Sequence, residues 1–255
     1  MARVFPVIRE YQELFRLMVA RNLKIRYKNS VLGFFWSLLS PIFLIIIYAT
    51  FLKLMKFSWD LRSLVTGIVV WQFFAMCLGD SVHAIVGNSN LVTKSPFPRM
   101  ILPLAMVSAN FINFLLSMSV LVVYLICVGA DFGALYTLPL LFVFQFALCL
   151  GVSLIFSSAN VFFRDTEHIL SLVMLAWFFV TPVIYPIKEI VGPASPLADW
   201  MKCAYFLNPM SGIVVMYRWA FLSNAECLAP CLWMSFAMAG IILLIGVAVF
   251  KKCEN

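Results

Sequence analysis

Six long apolar stretches, at about 31–53, 64–85, 102–128, 136–158, 168–186 and 230–250, set the pattern of this chain. A helix rises about 1.5 Å per residue and the hydrocarbon core of a bilayer is about 30 Å thick, so roughly 20 apolar residues suffice to cross it. Each stretch meets or approaches that length. Runs such as Leu115 to Val128 and Ile241 to Phe250 show no inside/outside alternation, which predicts helices rather than barrel strands. Residues 1 to 28 follow a different pattern: Arg3, Arg9, Arg16, Arg21, Lys24, Arg26 and Lys28 are interleaved with Ile8, Tyr11, Phe15, Met18 and Ile25 at helical spacing. That predicts a basic amphipathic helix lying on the membrane face. Its charged region is too long, and lacks a small-residue cleavage site, for a signal peptide. Between the fifth and sixth stretches, residues 187–229 are broken by Pro193, Pro196 and Pro209, and the apolar piece Met210–Leu222 is too short to span. It reads as a re-entrant or interfacial helix capped by Asn208, with Pro209 at its first position. The predicted fold is therefore an all-α integral membrane protein. An amphipathic interface helix occupies 1–29 on the cytoplasmic side, a six-helix transmembrane domain occupies 30–255, and an external re-entrant hairpin forms a gate region at 187–222.

Composition supports lipid as the solvent. Of 255 residues, 64% are hydrophobic and 11% charged, and the mean hydropathy is +1.02, far from the balance of soluble domains. Counting Lys and Arg gives an orientation. With residue 1 inside, the inner side holds the seven basic residues of the N-terminal segment plus Lys94, Arg99, Arg164, Lys251 and Lys252. The outer side holds Lys53, Lys56, Arg62, Lys188, Lys202 and Arg218. This asymmetry predicts both termini in the cytoplasm, and it assigns the net charge of +7 to topology and anionic headgroups rather than to nucleic acid. No internal repeat is evident, which disfavours the inverted-repeat transporter folds.

The chemistry on offer is sparse. Asp80 and His83, three apart on the second span, could form a proton relay or a polar pair at a helix contact. Arg164, Asp165, Glu167 and His168 read as a hydrated loop with acidic residues opening a helix. None of the 11 glycines is followed by lysine, so the P-loop pattern is absent and an uphill pump would need a partner or an ion gradient. Cys77, Cys127 and Cys149 lie in apolar runs and read as packing, whereas a disulfide among Cys203, Cys227 and Cys231 stays open. No convergent cluster suggests an enzyme or a metal site. Aromatic residues lie deep in two spans: Phe34, Phe35, Trp36, Phe43 and Tyr48 in the first, Trp177, Phe178, Phe179 and Tyr185 in the fifth. They could serve packing and interfacial belts, or line a path for a sugar polymer.

The stretch from Arg21 through Tyr27, Lys28 and Ser30 to Gly33, continuing through Trp36 to Pro41, resembles the membrane subunits of bacterial ABC exporters for O-antigen, teichoic acid and related polysaccharides. Ser95 to Pro103, Phe163-Arg164-Asp165 with Thr181 to Pro186, and Asn208-Pro209 resemble further motifs of that family in the same order. The resemblance implies a transporter subunit rather than an enzyme, in the bacterial inner membrane. Two copies would form the pore with two separate ATP-binding cassette subunits, and ATP and Mg would sit on those partners alone. The implied cargo is an undecaprenyl-linked polysaccharide. Another lipid or a drug in the same architecture, or a proton-coupled secondary transporter, are the alternatives. The resemblance also implies that Tyr27, Lys28, Asn88, Lys94, Pro96 and Arg99 meet the ATPase. Arg21, Lys24, Arg26, Ser30, Leu32 and Gly33 would stand at the mouth of the channel, where the basic residues could attract a pyrophosphate. The aromatics of spans one and five would line the channel.

Overall fold

The computed structural model describes residues 11–28, 35–56, 60–94, 96–192, 198–222 and 229–254. Phe34, Ser30, Leu32, Gly33 and Cys227 lie outside the described residues. Helix α1 (Gln12–Tyr27) is followed by α2 (Phe35–Met55), which carries Pro41, and by α3 (Leu61–Ser81), whose first turn is capped by the Asp60 side chain accepting from the Arg62 amide. A 3₁₀ turn at Val86–Asn88 leads into the short α4 (Ser89–Lys94). Helix α5 (Ile101–Cys127) ends where Gly129 takes φ +67°, a left-handed stop that suits glycine. A second 3₁₀ turn precedes α6 (Leu138–Phe162), and α7 (Thr166–Val180) follows a tight turn. Two short helices, α8 (Lys188–Val191) and α9 (Asp199–Tyr205), lead to α10 (Pro209–Phe221) and finally α11 (Ala229–Glu254).

Among the described residues, four segments are long and apolar enough to cross a membrane: Leu61–Ser81, Ile101–Cys127, Leu135–Phe162 and Leu232–Glu254. The first and fifth predicted spans are shorter apolar helices, over Leu39–Leu54 and Thr166–Val180. The fifth ends six residues before its predicted limit because Pro182 forces Thr181 into an extended conformation, φ −91°, ψ 140°. The 15 residues of α7 reach about 22 Å, less than a hydrocarbon core. The second span also stops early: helix α3 ends at Ser81 and residues 82–85 are turn. The expected helix at 210–222 is present, with Asn208 as its cap and Pro209 at its first position.

The main packing axis pairs α6 with α11. A Cβ on Gly246 would lie 2.3 Å from the Gly151 carbonyl oxygen, and one on Gly151 would lie 2.7 Å from the Leu243 backbone. The two backbones are therefore in contact, the arrangement small residues allow between helices in lipid. Helix α3 is the hub, packed by α2, α5, α6, α7 and α10. Side chains from its neighbours donate to its backbone carbonyls: Gln145 Nε2 to Val70 O at 2.9 Å and Asn110 Nδ2 to Met76 O at 3.3 Å. Just beyond its end, Asn160 Nδ2 donates to Val82 O at 2.9 Å. Replacing Gly246 by Val is expected to destabilise the purified chain by about 1–3 kcal/mol, the usual penalty of overpacking. Gly79→Ala, where a Cβ meets nothing within 4 Å, should leave the melting temperature unchanged or slightly raised.

Candidate functional site

At the α1 end of the molecule a small apolar cluster holds the amphipathic helix down. Met18 of α1 is buried with Ala84, Leu102 and Ala105, and Leu14, Phe15, Val19, Leu91, Val92 and Phe97 pack around them. Ile25, expected on the same apolar face, is instead 59% exposed, because the next residue, Arg26, turns inward. Its Nη2 pairs with Asp80 Oδ2 and donates to Asn110 Oδ1 at 2.6 Å. Asn110 closes the triangle by donating from Nδ2 to Asp80 Oδ2 at 2.9 Å. Arg21 Nη2 donates to Asn88 Oδ1 at 2.6 Å, and Asn88 is anchored to the Ala84 carbonyl. Of the basic residues expected at the channel mouth, two are thus tied into the protein, while Lys24 is exposed. Asp80 and His83 do not pair with each other: His83 Nε2 lies 3.3 Å from Glu167 Oε1 on the surface. That arrangement gives no relay between them.

The expected ATPase-coupling positions share this end. Tyr27 closes α1, Lys28 follows it and is exposed, and Lys94, Pro96 and Arg99 are exposed at the α4 loop. The Arg99 amide donates to Glu254 Oε1 at 2.7 Å, so the tail of α11 is joined to the start of α5. Among the described residues no group of three or more His, Cys, Asp or Glu could hold a metal ion.

The aromatic candidates divide into two sets. Trp177 and Phe178 pack edge-on against Phe74 and Trp71 of α3, with ring centroids 5.0 and 5.5 Å apart. Phe35, Trp36, Phe43 and Phe179 are exposed, and Tyr48 is half-buried. Helices α2 and α7 are each held against α3. Their outer surfaces, including Ile46, Ile47, Leu172 and Leu175, are exposed and have no cover among the described residues.

At the opposite end, polar side chains knit the turn after α7 to α10. Arg218 is buried, and its guanidinium donates to the carbonyls of Ser63, Tyr185 and Val183 at 2.9, 3.1 and 2.7 Å. A Cβ on Gly67 would lie 2.9 Å from that guanidinium and 2.7 Å from Val183 O, so the helix start must be bare there. Asn208 accepts from Trp177 Nε1 at 2.8 Å and from the Met210 amide at 3.1 Å, and donates to Thr181 Oγ1 at 2.9 Å. The Tyr185 and Tyr205 hydroxyls are 2.9 Å apart. Burial, with that hydrogen bond, pushes the Tyr205 phenol upward, so it stays neutral at physiological pH. Cys203 nearby is a free thiol.

Sequence reasoning passed over Asn110 and Arg218. It weighed ionisable residues within spans but not amides, and it counted Arg218 as a solvated outer charge. The available signal was a polar residue inside an apolar run, which in lipid needs a partner.

The sequence profile of the ABC-2 type transporter family matches residues 13–222. This chain belongs to the ABC-2 type transporter family. It is an integral membrane protein, and the family supplies the membrane subunits of ABC transport systems. Among its relatives are two O-antigen export system permease proteins RfbA of Klebsiella pneumoniae. One is 30% identical over 252 residues and the other 31% over 253, each alignment covering 94% of this chain and 93% of the relative. The O-antigen export system permease protein RfbA of Myxococcus xanthus is 30% identical over 261 residues, covering 96% of this chain and 93% of that protein. The ABC-2 match covers both polar networks described above, one at each end.

Arg218→Leu is expected to destabilise the permease by about 3 kcal/mol, because it leaves the three carbonyls without their donor in a dry site. Arg218→Lys should recover only part of that loss, since an ammonium cannot reproduce the guanidinium fork. For the other end, thermal unfolding of Arg26→Ala, Asp80→Ala and the double variant should show a coupling of about 1 kcal/mol, the range of a partly exposed pair.

Proposed function

We propose that this chain is the channel-forming subunit of an ATP-driven exporter that carries a lipid-linked polysaccharide, of the O-antigen kind, across the bacterial inner membrane. The observation that carries this reading is the match to O-antigen export permeases along 94% or more of the chain. Two copies form the pore, and each recruits an ATP-binding cassette subunit that holds ATP and Mg. Both termini face the cytoplasm. Helices α2 and α7 complete a set of six crossings, the second through a locally short helix, and α9–α10 form an external re-entrant hairpin.

In this reading α1 lies on the cytoplasmic face, and its residues Tyr27 and Lys28 meet the ATPase together with Asn88, Lys94, Pro96 and Arg99 on the α4 loop. The small apolar cluster around Met18 supports it, because that cluster makes α1 and the α4 loop one body able to move together. The uncovered faces of α2 and α7 support the pore: across the two-fold axis, Phe35, Trp36, Phe43 and Phe179 are available to line a path and face C–H surfaces of passing sugars. Tyr48, Trp177, Phe178 and Tyr185 back that lining. The mouth is formed by Ser30, Leu32 and Gly33 with the basic end of α1. Lys24 is an exposed cation there, while Arg21 and Arg26 hold the helix in place. Export ends at the Arg218–Asn208 network, whose dense hydrogen bonding keeps the outer gate in shape.

Expression with the genomic neighbours should yield a complex of two permeases and two ATPases from mild detergent. Deletion should remove the surface polysaccharide, with restoration by the wild-type gene but not when the ATPase partner is inactive. A deletion strain with an unchanged surface glycan would sink the cargo assignment. Charge reversal at Lys24 is expected to lower export severalfold while the complex still assembles; undiminished export would remove Lys24 from the mouth.

A further inference from the structure

A cavity of about 310 Å³ opens between α2, α3 and α5, with Arg26 at its α1 end. Polar groups make up much of its wall: Ser40, Gln72, Asn110, Asn113 and Ser117 all line it, although each lies in an apolar helix. Asn110 and Asn113 are buried. Asn110 is already partnered, by Arg26, Asp80 and the Met76 carbonyl, and a polar cavity does not stay empty. Trp36, Phe73 and Phe114 supply aromatic surface.

We propose that this cavity is a binding site for a single uncharged saccharide ring, set beside the polymer path along the outer faces of α2 and α7 and sharing Trp36 with it. This rests on the polysaccharide reading above and names a subsite for it. The volume, about 310 Å³, is at the lower end of small-molecule sites, roughly 300–1,000 Å³, and suits one ring rather than several. The charge excludes a phosphate. Arg26 is already matched by Asp80, and an incoming anion would meet that carboxylate at close range. What remains is a neutral ligand rich in hydroxyls, whose protons the Ser40 and Ser117 oxygens can accept while their own are held by helix carbonyls, and to which the Gln72 amide can donate and accept. Because Arg26 is also the link from α1 to α3 and α5, a ring in this cavity touches the residue that holds the amphipathic helix.

The test is saturation-transfer NMR on the full chain in lipid nanodiscs free of glycoside detergents. The probes are the methyl glycosides of glucose, galactose, mannose and N-acetylglucosamine, with glucose 1-phosphate as the anionic comparison. At least one neutral glycoside should give transfer at millimolar concentration, and glucose 1-phosphate less. Gln72→Leu and the cavity-filling Ser117→Phe should each weaken the signal about fivefold, near the worth of one lost hydrogen bond. Their melting temperatures report whether they fold, and for a variant that does not, the neutral-against-anionic comparison on the wild-type chain decides. Absence of transfer from every glycoside, a stronger signal from glucose 1-phosphate, or an unchanged signal in the folded variants would overturn the proposal. The binding readout does not require export: a chain that binds glycosides but whose deletion leaves the surface glycan intact would refute the exporter reading alone.

Discussion

Hydrocarbon provides no hydrogen bonds, so a polar group sunk in this chain has to find its partner in the protein: hydroxyls such as Ser158 find a carbonyl one turn back, and the amides reach another helix. Helix α3 depends on that constraint most. Its backbone carbonyls already serve the helical ladder, yet Val70 and Met76 also accept from Gln145 and Asn110 on neighbouring helices. Apolar packing alone would let helices slide past one another in lipid, because lipid tails are as apolar as leucine. The amide contacts set the register. The bare glycine contact of α6 with α11 adds close dispersion packing beside this hub.

The two ends of the molecule hold an inward-turned arginine differently. Arg26 is met by a carboxylate and an amide, an arrangement of three side chains from three helices. Arg218 is met by three backbone carbonyls and, among the described residues, no acid. Side chains can change rotamer and exchange partners, whereas the carbonyls of Val183 and Tyr185 move only if the turn itself refolds. The α1 end can therefore rearrange by side-chain motion alone, whereas the far end cannot.

Much of this was legible in the residues. Spans two, three, four and six are recoverable from apolar run length, because burying a backbone in lipid requires about 20 apolar residues whatever the tertiary fold. The cap at Asn208 and the start of α10 at Pro209 are local chemistry and needed no neighbours. The family, too, was carried by short local motifs. The early end of α7 was partly legible in Thr181-Pro182, since the restriction before proline is itself local.

The partnerships were decided only by the tertiary structure. Helical periodicity placed Ile25 on the apolar face of α1, but the pull of Asp80 on Arg26 turned that position outward. Asp80 and His83 shared a face by spacing, yet each pairs elsewhere. Arg218 looked like a surface charge until the turn at 181–187 folded over it. A sequence determines which segments must leave water, because that is a sum over neighbouring residues. It does not determine which polar atoms meet across 30 to 155 positions of chain, because those distances are set by how the helices are stacked.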